Sequence, residues 1–147
     1  MKPQSSRGSC LCGAVQFTAL LPTKWVAHCH CTRCQRAHGA AFVTWAGFPS
    51  EAVEFHDDQN SLRWYVAQEG GSRAFCGQCG SPMFFKSGRW PGELHIARAL
   101  FQDPIDQEPQ SHVFFETSVP WVTLADELPR EVSEPPPQAT VSGANAT

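Results

Sequence analysis

Cys29-His30-Cys31-Thr32-Arg33-Cys34, running on into QRAHG at residues 35–39, is the stretch on which the reading of this chain turns. In an extended segment, positions i and i+2 face the same side. Cys29 and Cys31 therefore aim one way, and Cys34 returns three residues later around a turn or short helix. Working outward, Cys10-x-Cys12 lies upstream and Cys76-x-x-Cys79 downstream, which accounts for all seven cysteines. Two pairs and a triplet divide into one closed four-thiolate site and one three-thiolate site. Zinc is held in structural sites by four such ligands in a tetrahedron, and in catalytic sites by three protein ligands plus an open position. In the first pair Cys10 and Cys12 share a face if the segment is extended. Each pair is followed by a glycine, Gly13 or Gly80, which lets the backbone turn tightly and its amides approach the sulfurs. With Gly77 inside the second pair, CGQCGSP reads as a metal knuckle.

Other uses of cysteine fit less well. Disulfides would suit a short secreted scaffold, but the count is odd and MKPQSSRGSC shows no apolar signal segment. Free core thiols are common, yet random burial rarely gives three tight clusters. Thiolate spacing alone also admits an iron–sulfur cluster. His28, His30 and His38 are the nearby imidazoles; His30, between two ligands, should point to the opposite face.

At 147 residues, 41% hydrophobic and 17% charged, the chain has the length and balance of one globular domain. A net charge of −3 gives no general attraction to phosphate backbones, so a nucleic-acid zinc ribbon is disfavoured. No apolar run approaches a membrane span, and thiol-rich metal sites suit a reducing compartment, the cytoplasm.

Short apolar runs of strand character fall at Ala14–Leu21, Trp25–Cys29, Ala41–Trp45, Leu62–Val66, Met83–Phe85, Leu94–Ala97 and Val113–Phe115. One short helix fits at Thr32–His38, stopped by Gly39. The fold class is therefore mainly β. From Glu131 onward, with Pro135–Pro137 and small polar residues, little remains to bury, so residues 131–147 read as a flexible C-terminal tail after a zinc-binding domain at 5–130.

GSCLCGAV, CHCTRCQRAHGAAF, FCGQCGSPMFF and HVFFETSVPWV, in that order, resemble the signatures of the glutathione-dependent formaldehyde-activating enzymes, a family that also includes a centromere-associated protein. The resemblance spans Ser5 to Leu128. It implies an Mss4-like fold of several small twisted antiparallel sheets with two zinc ions per chain. Carried over by residue, Cys10, Cys12, Cys76 and Cys79 match the structural ligands, and Cys29, Cys31 and Cys34 the catalytic ones. Gln35 stands where the family often has arginine, and Arg36 and Ala37-His38 also differ from its usual pattern.

The implied reaction is a carbon–sulfur lyase step: a small thiol such as glutathione adds to a small aldehyde such as formaldehyde, or the reverse. Because three thiolates donate heavily to zinc, ligand charge favours holding the incoming thiol as thiolate over polarising a carbonyl. A nearby cation would strengthen that role, with Arg33 and Arg36 closest in sequence. Aromatic candidates for a cleft wall are Phe42, Trp45, Phe75, Phe84, Trp90 and Trp121. His112 and Glu116, four apart, would share a strand face, as a structural hydrogen bond first and as a paired acid and base second. A non-enzymatic zinc-binding interaction module is the alternative, which an added basic or proline-rich arm would support; here the N-terminal arm is a handful of residues and the tail is acidic to neutral. A zinc hydrolase ranks below both, since no HExxH-type base accompanies the site.

Overall fold

Strands in this chain are short because glycine, proline and turn residues interrupt every apolar run. The computed structural model describes residues 4–68 and 71–133. The proline-rich part of the expected tail, from residue 134 on, lies outside the described residues. Three strands, β1 (Ser5–Ser9), β2 (Gln16–Leu20) and β5 (Val53–His56), form a small antiparallel sheet in the order β1-β2-β5. Seven others form the larger sheet: β3 (Trp25–Cys29), β4 (Val43–Pro49), β6 (Leu62–Val66), β7 (Gly71–Cys76), β8 (Pro82–Ser87), β9 (Glu93–Ala97) and β10 (His112–Val113). Its order is β10-β3-β4-β9-β8-β7-β6, antiparallel throughout except that the two-residue β10 runs parallel to β3.

The mainly β class read from composition is the one observed, and β3, β6 and the helix α1 (Thr32–His38) have the expected bounds. Strands β1, β5 and β7 were not legible. β1 is SSRGS, with Ser6 fully buried and Gly8 packed under Phe17, where a Cβ would come within 2.2 Å of the ring. Small polar residues there serve close packing, so the usual apolar alternation is missing.

The main core lies between the sheets. Phe17 meets Phe84 and Phe101 edge-on at 5.4 and 5.2 Å, and Val15, Val26, Phe48, Met83 and Ile96 fill the space around them. A second apolar cluster gathers Cys29, Cys34, Val43, Trp45 and Ala97, with Trp25, Phe85 and Phe114 against it. Fully burying side chains of this size contributes about 1.5–3 kcal/mol each. Trp25 owes its position to Gly47, its cross-strand partner on β4, since a Cβ there would fall 2.3 Å from the indole.

Candidate functional site

Each cysteine group is positioned by a different local device. Cys10 follows β1, and Cys12 sits in the turn leading to β2. The expected extended geometry for this pair does not hold. The amide of Gly13 donates to the Cys10 carbonyl at 3.3 Å and Gly13 takes φ 84°, so a turn brings the two sulfurs together. Cys76 ends β7, and Cys79 follows in a matching turn whose Gly80, at φ 79°, donates to the Cys76 carbonyl at 2.8 Å. A left-handed backbone is cheap only for glycine, which explains both positions.

Sulfur spacings test what these groups could hold. Cys10 and Cys12 sulfurs are 3.7 Å apart, and Cys12 and Cys76 are 3.8 Å apart. A tetrahedral thiolate site with metal–sulfur bonds of ~2.3 Å has sulfur–sulfur edges of roughly 3.8 Å. The four therefore fit a metal ion such as zinc, and all seven cysteines are free thiols far from disulfide geometry. Amides already point at the sulfurs: Val15 N–H donates to Cys10 Sγ at 3.3 Å and Gln78 N–H to Cys76 Sγ at 3.4 Å. The Ser81 hydroxyl and backbone pull the Cys79 thiol down to about 5. This cluster joins the turn after β1 to the turn after β7, and so ties the small sheet to the large one.

The triplet is built where a strand becomes a helix. Cys29 ends β3; Cys31, extended at φ −66° and ψ 146°, caps α1; and Cys34 lies buried in its first turn. The Cys34 N–H donates to Cys31 Sγ at 3.3 Å, so the thiol does the work of an N-cap oxygen. Cys29 and Cys34 sulfurs are 3.6 Å apart, again within the tetrahedral range. No other cysteine, histidine or carboxylate donor among the described residues joins these three sulfurs. Hydrogen bonds from Cys29 and Cys31 hold the Cys34 thiol far below its ordinary value, helped by the charge of Arg73, while the same contacts push Cys29 up.

Only the triplet lines a cavity, although Cys12 of the other cluster is exposed at the surface. A cavity of about 660 Å³ is lined by Cys29, Cys31 and Cys34 together with Trp25, Trp45, Phe85, Trp90 and Phe114, and none of the other four cysteines lines it. Of the aromatic candidates, Trp45 and Trp90 are on its wall. Phe42 packs behind it on His28 and His30, Phe84 belongs to the core, Phe75 is part exposed and Trp121 is exposed.

The histidines near the triplet are occupied elsewhere. His30 is turned away from the sulfurs as its strand position requires, and its Nε2 lies 2.7 Å from His112 Nδ1. His112 Nε2 donates to Asp126, which also pairs with Arg130 at 2.9 Å. His28 Nδ1 is 2.7 Å from the Thr44 hydroxyl, and the His38 ring meets Trp45 edge-on. The expected pairing of His112 with Glu116 does not occur. Phe114, at φ 53°, bends the chain out of the strand, so His112 points into the imidazole network while Glu116 accepts from Ser133. A bulky residue in the left-handed region is costly and tends to mark functional sites; here its ring ends up in the cavity wall.

Arg73 on β7 brings a cation to the sulfurs from a distant part of the sequence. Its Nη2 donates to Cys34 Sγ at 3.6 Å, and Nη1 is buried without an acceptor. Such an orphaned donor beside three thiols suits a site that carries net negative charge once its cysteines are ionised. Arg33 also lines the cavity, and Arg36 is exposed on α1. Gln35, the departure next to Cys34, braces the helix: its Nε2 donates to the carbonyls of His30 at 2.8 Å and Thr117 at 2.9 Å.

Sequence reading also missed His95 on β9, which looks like a core position in GELHIA. It is buried in the cavity wall among Trp25, Phe85 and Trp90, and its Nε2 lies 3.0 Å from Glu93. A carboxylate accepts only, so Nε2 carries the hydrogen and Nδ1 the lone pair. Burial lowers the affinity of this imidazole for a proton, against the pull of Glu93, and leaves it neutral.

Comparison with known proteins gives a family match and a shared fold. The family model for glutathione-dependent formaldehyde-activating enzymes matches residues 5–117. A Halomonas elongata protein, described provisionally as such an enzyme, is 25% identical over 124 residues, covering 80% of this chain and 79% of its own length. An uncharacterised lyase of Schizosaccharomyces pombe is 24% identical over 78 residues, 53% of this chain and 55% of its own. A crystal structure of a Rhodobacter sphaeroides protein shares the fold, with a TM-score of 0.57 and 22% identity over 67% of this chain and 89% of its own.

Proposed function

Given that the chain belongs to the glutathione-dependent formaldehyde-activating enzyme family, we propose that it joins a small thiol to a small aldehyde, or splits the adduct, at Cys29, Cys31 and Cys34. The observation that carries this reading is the contrast in ligand number and access: four cysteines close one cluster, while three stand at a cavity large enough for a tripeptide-sized ligand. Zinc held by the triplet would offer a fourth position in which a thiol is stabilised as thiolate. The second zinc, on Cys10, Cys12, Cys76 and Cys79, would be structural. Glutathione and formaldehyde are the substrates this reading names, and a reducing compartment such as the cytoplasm suits its seven free thiols.

The remaining work falls to side chains in place. Arg73 sets a fixed positive charge against Cys34, which favours negative charge on the sulfurs. Trp25, Trp45, Phe85 and Phe114 form apolar walls that exclude water and sharpen that interaction. His95 Nδ1, with its lone pair free, is the group in the cavity suited to take the thiol proton and return it to the oxygen of the adduct.

The test is isotope-exchange NMR of formaldehyde with glutathione, run with purified protein and with Cys31→Ser. Exchange well above the spontaneous rate, lost in the variant, is the expected result. A rate equal to the background for the wild type, with two zinc ions bound, would reject catalysis and favour a zinc-binding interaction module.

A further inference from the structure

The exposed turn between β8 and β9 carries a guanidinium with no acidic partner among the described residues, Arg89, and this residue lines the same cavity as the three cysteines. Its carbon lies over the rings of Trp90 and Phe114, 5.0 and 5.5 Å from their centroids. Aromatic faces therefore cover its flat side and fix it, while the N–H edge stays available. A guanidinium edge matches a carboxylate through parallel hydrogen bonds, and a pre-positioned one loses little entropy on binding.

A continuous run of contacts connects this arginine to the sulfurs. Cys34 receives Arg73 at 3.6 Å, Arg73 stacks over Phe85 at 4.8 Å, Phe85 meets Trp90 at 6.1 Å, and Trp90 carries Arg89. Arg73 and Phe85 are cross-strand partners on β7 and β8, so the sheet register sets this spacing. Among the described residues no carboxylate bonds to Arg73 or Arg89. Of the described acidic residues in the lining, Glu116 is held by Ser133, and Glu131 is the other. One wall thus runs from a thiol site to a free guanidinium edge, over a cavity far larger than formaldehyde needs.

We propose that Arg89 forms a carboxylate subsite at this end of the cavity, so that the site selects a small thiol bearing a carboxylate over a neutral thiol. The inference deepens the thiol–aldehyde reading and rests on it for the identity of the second group. Arg73 adds positive potential along the path, and the rings between the two arginines cover the apolar body of the ligand.

Calorimetric titration of the full, zinc-loaded chain separates the possibilities with glutathione, its diethyl ester and S-methylglutathione. Wild-type protein is expected to bind glutathione about tenfold tighter than the ester, the effect of a charge-assisted hydrogen bond. Arg89→Gln should remove most of that preference and weaken S-methylglutathione equally, while Arg89→Lys restores part of it. Equal affinity for acid and ester in the wild type, or an unchanged preference in Arg89→Gln, would overturn the subsite. So would the absence of binding by both carboxylate ligands. If S-methylglutathione binds as tightly as glutathione in an Arg89-dependent way, the subsite stands and the thiol reading falls. Since binding is read directly, no outcome depends on turnover.

Discussion

The two cysteine clusters have nearly the same sulfur spacing and opposite surroundings. Cys10, Cys12, Cys76 and Cys79 come from two turns 64 residues apart in sequence, at Cys12 and Cys76, and close a loop between the sheets. Cys29, Cys31 and Cys34 come from one strand–helix junction, so they close no long loop and bring no distant elements together. The first arrangement suits stability, because metal binding free energy becomes folding free energy when ligands are dispersed in the unfolded chain. The second suits chemistry, because three ligands leave a position, the cavity admits a ligand and Arg73 sets the charge. Ligand identity alone does not assign a role; what assigns it is which parts of the chain supply the ligands and what the sulfurs face.

Substitutions at one cluster should leave the other's property intact. Cys76→Ser should cost several kcal/mol of stability, on the order of 5, and one zinc per chain, seen as a large fall in melting temperature. Cys31→Ser should leave stability within about 1 kcal/mol of wild type, because the serine hydroxyl keeps an N-cap acceptor for the Cys34 N–H, yet abolish thiol–aldehyde exchange. Equal destabilisation by both variants would break the comparison. His95→Gln should slow exchange by about a hundredfold with zinc content unchanged, because the proton acceptor in the cavity is lost. Arg73→Gln should slow it by about tenfold by removing the charged donor to Cys34, again with both metals retained. Gln35→Ala should cost about 1–2 kcal/mol through two lost hydrogen bonds to carbonyls, with little change in thiol–aldehyde exchange, and loosen the helix that carries Cys34. Amide exchange over α1 would show that effect directly.

Much of the cysteine clustering was legible because the members of each pair and of the triplet are close in sequence. Cys29, Cys31 and Cys34, and the helix from Thr32 to His38, needed only local spacing and a glycine stop. Cys10 and Cys12 were grouped correctly for a wrong reason, since a turn joins them where an extended segment was expected. The walls of the cavity were harder to read. Arg73, Phe85 and His95 meet through the registers of β7, β8 and β9, and no local pattern in GSRAFC or GELHIA marks them apart from ordinary strand residues. Arg33, next to Cys34 in sequence, does line the cavity, whereas Arg73 is brought there by a sheet order that sequence distance does not reveal. His112 and Glu116 failed as a pair for the opposite reason: one positive φ at Phe114 cancels the strand periodicity that would have aligned them.

The central claim, one closed cluster and one open to substrate, is tested most directly by NMR of the cadmium-substituted protein, whose metal signals respond to the number of thiolate ligands. The account predicts two separate signals, of which glutathione moves one only, with that same signal missing in Cys31→Ser. A single signal, or two that glutathione leaves unmoved, would contradict it.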